Sequence, residues 1–277
     1  MTAKKRVIYR INISPAGKWD EKDENSIWNI YQKFFDNVEK DIFTPRVERY
    51  SNSVGADLIT ISELDHDATE IEGRTSFYRA ANCMKFYALR DAHERGYNEF
   101  LLLDNDILIS KNSQDIFENT EKDGLYMSPT PVLKKGLVDI AQKHYSFNLT
   151  QTWNGGVILA KGESFKILAE NLPCSMYDFF NAITWSKGYP FKVGVKKHHN
   201  LFPEGYASSD EIVFPFLASK SKIEIETLHN KWNKMVNVND PDSIFKSLKN
   251  KNFLHFVSDS KKLLLNKDFS EKILLKF

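Results

Sequence analysis

The sequence predicts an α/β fold in which a mixed, mainly parallel sheet is flanked by helices. Short runs rich in apolar and β-branched residues alternate with longer segments whose apolar residues recur at helical spacing. Such alternation is typical of βαβ units, in which each helix crosses over a parallel sheet. With 277 residues, 42% of them hydrophobic and 13% aromatic, the chain is long enough to bury a substantial core.

The first half of the chain alternates between strand and helix. Its strands are predicted by β-rich apolar runs at residues 7–13, 57–61 and 100–103. Its helices are predicted by apolar residues at helical spacing over residues 26–40 and 75–95. Ser26 is a candidate N-cap for the first helix, and Gly96 is expected to end the second as its C′ residue. Ligands of such a fold bind beyond the carboxyl ends of the strands.

The second half of the chain is more mixed. We expect strands at residues 152–160, 191–195, 223–228 and 252–257. We expect helices at residues 164–171, 176–185 and 208–218. The sequence has no internal repeat, low-complexity linker or clear domain boundary. Residues 1–277 are therefore predicted to form a single domain.

Composition and charge exclude several functional classes. A net charge of +1, from 38 basic and 37 acidic residues, gives no electrostatic footprint for nucleic acid, so we expect no such partner. No apolar stretch approaches the length of a membrane span, and the basic N-terminus leads into a strand rather than a signal peptide. Two cysteines, Cys83 and Cys174, indicate free thiols in a reducing compartment. We therefore expect a cytoplasmic protein.

The C-terminal tail, residues 262–277, mixes lysines with large apolar residues and is predicted to be a helix. Two interpretations of this helix are open. In the first, its apolar residues pack on the core. In the second, the helix lies on an anionic membrane, where lipid-linked substrates are found, and the protein is peripheral on that membrane.

The most informative segment is the apolar run 100–109, which is interrupted by Asp104 and Asp106. Charges are rarely placed in such a run unless something pairs with them. Two carboxylates at the end of a strand form a hard-oxygen site for Mg²⁺ or Mn²⁺ and, through the metal, for a phosphate. The alternative is a turn in which Asp104 caps the loop and Asp106 is solvated. The same spacing at 65–67 and 240–242 lies in polar, turn-rich surroundings and predicts only solvated loops.

Three further segments carry glycine or polar residues in unusual places. Gly155 and Gly156 lie at the entry to a predicted strand, where glycine permits a positive φ, the close approach of a ligand, or only an ordinary turn. Asp210 and Glu211 open a predicted helix, where acidic residues also serve as simple caps. His255 lies inside an apolar run, either as a hydrogen-bonded core residue or as a metal ligand.

The long helix before the acidic strand carries two basic residues, Arg79 and Lys85. Six positions apart, they are separated by about 600° around a helix and therefore do not share a face. We expect only one of them to point at a phosphate. For either residue the alternative is an ordinary solvated surface position.

Together these segments resemble glycosyltransferases of the GT-A fold, and most of all family 8, the glycogenin and bacterial lipopolysaccharide galactosyl- and glucosyltransferase group. The resemblance runs from about residue 79 to residue 261. In that family an apolar strand ends in Asp-x-Asp, matched here by Leu-Leu-Asp-Asn-Asp at 102–106. Its Phe-Asn-x-Gly-Val segment is matched by Trp-Asn-Gly-Gly-Val at 153–157. Its Asp-Gln helix start is matched by Asp210-Glu211, and its His-x-x-Gly-x-x-Lys segment by residues 255–261.

The chain departs from the family pattern at several positions. Ser258 stands where the family has the glycine next to the diphosphate, and Glu211 stands where it has glutamine. Lys262-Leu263 replaces the usual Pro-Trp, and the nucleotide-binding start is only loosely echoed at 10–13. These differences leave the subfamily and the donor sugar open.

The resemblance implies a metal-dependent transfer of a hexose from a nucleotide diphosphate sugar, expected to be a UDP-sugar, to a hydroxyl of a glycan or glycolipid, with retention. It implies that Mn²⁺ or Mg²⁺ is held by Asp104, Asp106 and His255. It implies that the donor is contacted by residues Asp104, Asn105, Arg79, Lys85, Gly155, Gly156 and Lys261. It also implies catalytic positions facing the donor sugar and the acceptor at Asn154, Asp210 and Glu211.

Other functions also fit parts of the pattern. An inverting enzyme needs a carboxylate base, and Asp210 or Glu211 fits that role. A nucleotidyl- or phosphoryl-transferring enzyme also uses Asp-x-Asp, usually with two metals and a further carboxylate. A third possibility is a non-catalytic protein that binds nucleotide sugars. His255 and the absence of a Gly-rich lysine loop favour glycosyl transfer.

Overall fold

The computed structural model describes residues 5–14, 27–64, 77–120, 122–131, 133–175, 210–257 and 260–277. The strands in this part are β1 (Arg6–Ile11), β2 (Asp57–Ile61), β3 (Glu99–Asp104), β4 (Ile107–Ile109), β5 (Gly124–Pro129), β6 (Trp153–Lys161), β7 (Ile225–Thr227), β8 (Lys234–Met235) and β9 (Phe253–His255). The α-helices are α1 (Ile27–Phe34), α2 (Thr44–Ser53), α3 (Phe77–Glu94), α4 (Lys135–Tyr145), α5 (Gly162–Glu170), α6 (Asp210–Lys220), α7 (Asp242–Ser247), α8 (Lys261–Leu265) and α9 (Lys267–Lys276). A π-helical segment, Phe35–Phe43, joins α1 to α2, and a 3₁₀ turn, Leu248–Asn250, follows α7.

Within the described residues, the central sheet has six strands in the order β2-β1-β3-β6-β5-β7. Five strands run in one direction, and β6 runs against them between β3 and β5. This confirms the predicted α/β class with a mixed, mainly parallel sheet. Because β6 is antiparallel to β3, the start of β6 lies beside the end of β3, and Val157 pairs with Leu103. The glycine pair and the acidic pair are therefore neighbours at the end of the sheet where the parallel strands have their carboxyl termini.

Both faces of the central sheet are covered. On β3, Phe100 and Leu102 belong to a core cluster that includes residues of α3, α5 and α6. The alternate residues, Leu101 and Leu103, belong to a second cluster with residues of α2, β4 and β9. Since successive side chains of a strand point to opposite faces, Asp104 continues the row of Phe100 and Leu102. Its carboxylate is thereby directed toward α3 and α6.

A second, three-stranded sheet has the order β4-β9-β8. The apolar residues that follow the acidic pair form β4, a strand of their own. In the antiparallel β4–β9 pair, Ile107 lies opposite His255. This register carries His255 to the acidic pair, although about 150 residues separate them in the sequence.

Most predicted elements are present with small shifts at their ends. Strand β2 has the predicted bounds, and α3 is followed by Gly96 at a φ of +73°, as a C′ glycine requires. Helix α2, strand β5 and helix α4 were not predicted. The helix predicted at 176–185 and the strand predicted at 191–195 lie outside the described residues.

The C-terminal tail forms two helices, α8 and α9, rather than one. Between them Asn266 caps α9, because its Oδ1 accepts a hydrogen bond from the Phe269 N–H at 3.0 Å. Ile273 and Phe277 are buried in a third core cluster with residues of α1 and the π-helical segment. These contacts favour the interpretation in which the tail packs on the core. Among the described residues, no helix has the length and apolar character that a bilayer crossing demands.

We expect Ile273→Ala to lower the free energy of unfolding by about 2–5 kcal/mol, because the side chain is fully buried and its removal leaves a cavity. The matched control is Leu275→Ala two residues later, whose side chain is 82% exposed and whose loss should cost less than about 0.5 kcal/mol. Urea unfolding of the two variants measures the difference. Equal destabilisation by both substitutions would contradict the described packing of α9.

Candidate metal centre

The acidic pair lies where β3 leaves the central sheet and the chain turns into β4. Asp106 is buried, whereas the side chain of Asp104 retains 26% exposure. Ligand atoms of Asp104, Asp106 and His255 all lie within 4.8 Å of one another. The structure therefore brings together the three residues that the sequence analysis assigned to a metal. The alternative turn with a solvated Asp106 is wrong, since Asp106 is buried.

Asp106 is held between a lysine and a histidine. One carboxylate oxygen accepts a short hydrogen bond from Lys261, and the other lies 3.1 Å from His255 Nε2. Burial by itself would raise the pKa of the Asp106 carboxyl, but Lys261 and His255 outweigh it and hold that pKa well below its usual value. Asp106 is therefore ionised. Its Oδ1 nevertheless accepts no well-directed hydrogen bond from the described residues.

Asp104 belongs to a second charged group. Lys85 Nζ lies 2.6 Å from Asp104 Oδ1 and 2.5 Å from Asp210 Oδ2, and it also donates to the Gly155 carbonyl at 3.1 Å. Burial lowers the pKa of Lys85, but the two carboxylates outweigh it and raise that pKa above its ordinary value. Burial raises the pKa of Asp104 although Lys85 acts against it, and Asp106 and Asp210 raise it further. Lys85 is thus buried inside the site rather than solvated.

The two glycines at the start of β6 leave room for site residues rather than for an unusual backbone. A β-carbon on Gly155 would overlap the carboxylate of Asp210, and one on Gly156 would overlap the imidazole of His255. Neither glycine has a positive φ. Here β6 also leaves its regular pairing with β5, where the register shifts between Met127 and Ser128. The glycine pair therefore makes possible the close packing of two predicted site residues against the β6 backbone.

The residues present fit a divalent cation. Carboxylate oxygens with one imidazole nitrogen form a donor set that suits Mn²⁺ better than Mg²⁺. The carboxylates of Asp104, Asp106 and Asp210 face two ammonium groups, those of Lys85 and Lys261, which leaves one negative charge in excess. A divalent cation would reverse that excess to one positive charge. It would also give the unsatisfied Asp106 Oδ1 a partner.

Three other predicted positions contact this cluster or its supports. Asn154 Oδ1 accepts hydrogen bonds from the Gly156 N–H at 3.0 Å and from Asn233 at 2.8 Å. Glu211 accepts from Lys134 at 2.6 Å, and burial raises the pKa of the Glu211 carboxyl although Lys134 opposes this. The backbone carbonyl of Asn105 accepts a hydrogen bond from the guanidinium of Arg10.

Lys261 is fully buried, with its ammonium group donating to Asp106 and to the Phe256 carbonyl at 2.9 Å. The same group lies 4.0 Å from the centroid of the Tyr31 ring. In this arrangement Lys261 neutralises Asp106 and has no surface open to a ligand. Among the remaining predicted positions, Arg79 lies on α3, but its side chain is outside the described part of the chain.

Two residues near the acidic pair were missed in the sequence. Arg10 on β1 is 1% exposed, and its guanidinium lies 2.6 Å from Glu39 Oε1 and donates to the Asn105 carbonyl at 3.1 Å. It therefore anchors the turn that carries Asp104 and Asp106. Tyr31 lies over Lys261 from α1. Arg10 could have been noticed in the sequence, because it is a charged residue inside the first predicted strand.

The second Asp-x-Asp spacing gives a contrast. Asp240 is exposed at the turn before α7, where its side chain accepts a hydrogen bond from the Ser243 N–H at 3.3 Å. Asp240 is therefore solvated at a turn, as predicted, whereas the side chain of Asp242 is outside the described part of the chain. The spacing at 65–67 lies outside the described residues.

The sequence matches no protein-family model and no curated protein. Among solved structures, the chain is similar to a glycosyltransferase involved in the glycosylation of the major capsid of PBCV-1, with 13% identity, a TM-score of 0.43 and coverage of 92% of this chain and 96% of the other. It is similar to the galactosyltransferase LgtC in complex with donor and acceptor sugar analogues, with 10% identity and a TM-score of 0.43. The match covers 96% of this chain and 94% of LgtC. It also spans half of the bifunctional glycosyltransferase WbbM, with 10% identity, a TM-score of 0.48 and coverage of 99% of this chain. Because these TM-scores are below 0.5, a function has to be argued from the site itself.

Proposed function

We propose that this protein is a metal-dependent glycosyltransferase that moves a hexose from a nucleotide diphosphate sugar to an acceptor hydroxyl. The observation that carries the proposal is the cluster of Asp104 with the buried Asp106 and His255, which lies at the carboxyl ends of the parallel strands and is backed by Lys85 and Lys261. The order of the four sequence segments that resemble GT-A glycosyltransferases supports it.

The charge of the site fits a diphosphate. With a divalent cation bound, the cluster carries one positive charge in excess, which favours an anionic ligand at its open side. That side is marked by Asp104, the most exposed of the three proposed ligands. When bound, the metal supplies Lewis-acid stabilisation of the leaving diphosphate. The three ligands would hold it, and Lys85 fixes Asp104 and Asp210 in place.

In the transfer, the bond between the anomeric carbon and the diphosphate oxygen breaks, and the acceptor oxygen bonds to that carbon. Asn154, Asp210 and Glu211 lie beside the cluster, where they would face the donor sugar and the acceptor. With retention, which we propose from the sequence resemblance, the acceptor proton leaves with the departing diphosphate. With inversion, Asp210 or Glu211 would receive it. UDP as the nucleotide, and a glycan or glycolipid as the acceptor, belong to the same proposal.

A panel of nucleotide sugars, each with and without Mn²⁺, tests the proposal by thermal unfolding. A ligand at 100 times its Kd stabilises a protein by about 2.7 kcal/mol, which corresponds to about 5–10 °C for a chain of this size. We expect UDP-sugars to raise the Tm by this amount only when Mn²⁺ is present. Stabilisation by nucleoside triphosphates but not by nucleotide sugars would instead favour a nucleotidyl transferase, and no response to any nucleotide would contradict the proposal.

A further inference from the structure

A chain of hydrogen bonds leads from the β6 backbone to the proposed metal ligand His255. The Gly156 N–H donates to Asn154 Oδ1 at 3.0 Å, and Asn233 Nδ2 donates to the same oxygen at 2.8 Å. Asn233 Oδ1 in turn lies 2.9 Å from His255 Nδ1. Asn233 and His255 are both 3% exposed, so their polar atoms depend on these partners rather than on solvent.

The direction of every bond in this chain is fixed by its first member. A backbone N–H can only donate, so the Asn154 atom that faces Gly156 must be the amide oxygen. That oxygen can only accept, so Asn233 must present its NH₂ group to it. The carbonyl oxygen of Asn233 therefore faces His255 and requires a proton on Nδ1. In the neutral imidazole, the form that binds a metal, this leaves the lone pair on Nε2, the nitrogen that lies 3.1 Å from Asp106 Oδ1, so that a cation would be shared between that lone pair and the carboxylate.

We infer that Asn233 is a positioning residue that holds His255 in its Nδ1–H tautomer and so directs the free Nε2 lone pair at the divalent cation. This inference rests on the proposed function, because it takes His255 to be a ligand of the donor-site metal. The opposite tautomer would direct an N–H group at the cation and could not bind it. Outer-shell partners of ligating histidines usually contribute 10- to 100-fold in metal affinity.

Three variants of the full chain test the inference. Asn233→Leu removes the acceptor that faces His255. Asn233→Asp keeps that acceptor, loses the donation to Asn154 and places a second carboxylate oxygen against Asn154 Oδ1. Asn252→Leu is the matched control, since Asn252 is also buried and hydrogen-bonded, to the Gln114 N–H at 3.0 Å, but contacts none of the proposed ligands.

Two measurements are made on each variant, and neither requires enzymatic turnover. The ¹⁵N shifts of the His255 ring, assigned with a His255→Gln variant, report the tautomer. The electron paramagnetic resonance signal of free Mn²⁺, with and without UDP, reports the metal affinity. We expect Asn233→Leu to lose the preference for Nδ1–H and to bind Mn²⁺ about 10- to 100-fold more weakly. Asn233→Asp should keep the tautomer and bind Mn²⁺ within a few-fold of the wild type, as should Asn252→Leu.

The inference is overturned if Nδ1 of His255 carries no proton in the wild type, if the wild type binds no Mn²⁺, or if Asn233→Leu binds Mn²⁺ as tightly as Asn252→Leu. Its failure can be told from failure of the proposed function. If no nucleotide sugar is turned over but the tautomer and Mn²⁺ affinity depend on Asn233, the function fails and the inference holds. If UDP-sugar is turned over and the Asn233 variants bind Mn²⁺ normally, the inference fails and the function holds.

Discussion

Replacing Asp106 with asparagine will lower Mn²⁺-dependent release of UDP from a UDP-sugar by a factor on the order of 10³, because the cation loses its central anionic ligand. Asp106 is the one residue of the cluster that touches both His255 and Lys261. Steady-state release of UDP, measured at saturating Mn²⁺, gives the factor. A variant that keeps turnover within threefold of the wild type would remove Asp106 from the proposed metal site.

The same substitution has a second effect that must be separated from the first. Asp106→Asn leaves the ammonium group of Lys261 buried without a counter-charge, which should destabilise the fold by about 3–5 kcal/mol. The double variant Asp106→Asn with Lys261→Met removes that unpaired charge. We expect it to regain most of the stability in urea unfolding and to remain inactive. Asp240→Asn, in the solvated Asp-x-Asp loop, is the matched control and should leave turnover unchanged.

The second large effect is expected for Gly156→Ala. The added β-carbon would overlap the imidazole of His255, whose strand β9 is fixed between β4 and β8. The ring must therefore move, and a displacement of about 1 Å at a reacting centre costs on the order of 10²-fold in rate. We expect UDP release to fall by that factor, together with a loss of Mn²⁺ affinity and about 1–3 kcal/mol of stability from overpacking.

Gly124→Ala provides the control for this prediction, because Gly124 also lies in the central sheet but far along β5 from the site. Its β-carbon would make only a tight contact, 3.2 Å, with the Tyr126 ring. We expect that variant to bind Mn²⁺ like the wild type. If Gly156→Ala and Gly124→Ala bind Mn²⁺ equally well, the glycine at 156 has no special relation to His255.

The parts of the site that the sequence could predict are those with a local signature. The acidic pair interrupts an apolar run, the glycine pair opens a strand, and His255 lies within a short apolar segment. Each of these patterns is visible within ten residues. The α/β class was predictable for the same reason, since β2 and α3 have strong local periodicity.

The parts that could not be predicted depend on contacts between distant segments. Lys85 has the sequence context of an exposed helical residue, and only its pairing with Asp104 and Asp210, the latter 125 residues away, makes it part of the site. Asn233 lies in a polar, turn-like segment that is typical of a surface loop. Strand β5 was missed because Gly124–Pro129 contains no β-branched residue, so its strand character comes from pairing with β6 and β7.

The pairing of β4 with β9 also bears on how the chain is made. Among the strands of the described residues, β4 pairs with β9 alone, and the partner of Ile107 is His255, which is synthesised 148 residues later. At about 5–20 residues per second, a ribosome needs roughly 7–30 s to cover that distance. During this interval the fully apolar Ile107–Ile109 segment has an open backbone edge, which is a template for pairing with other chains. The nascent protein should therefore depend on chaperones until β9 emerges from the ribosome, and slow translation should lower its soluble yield.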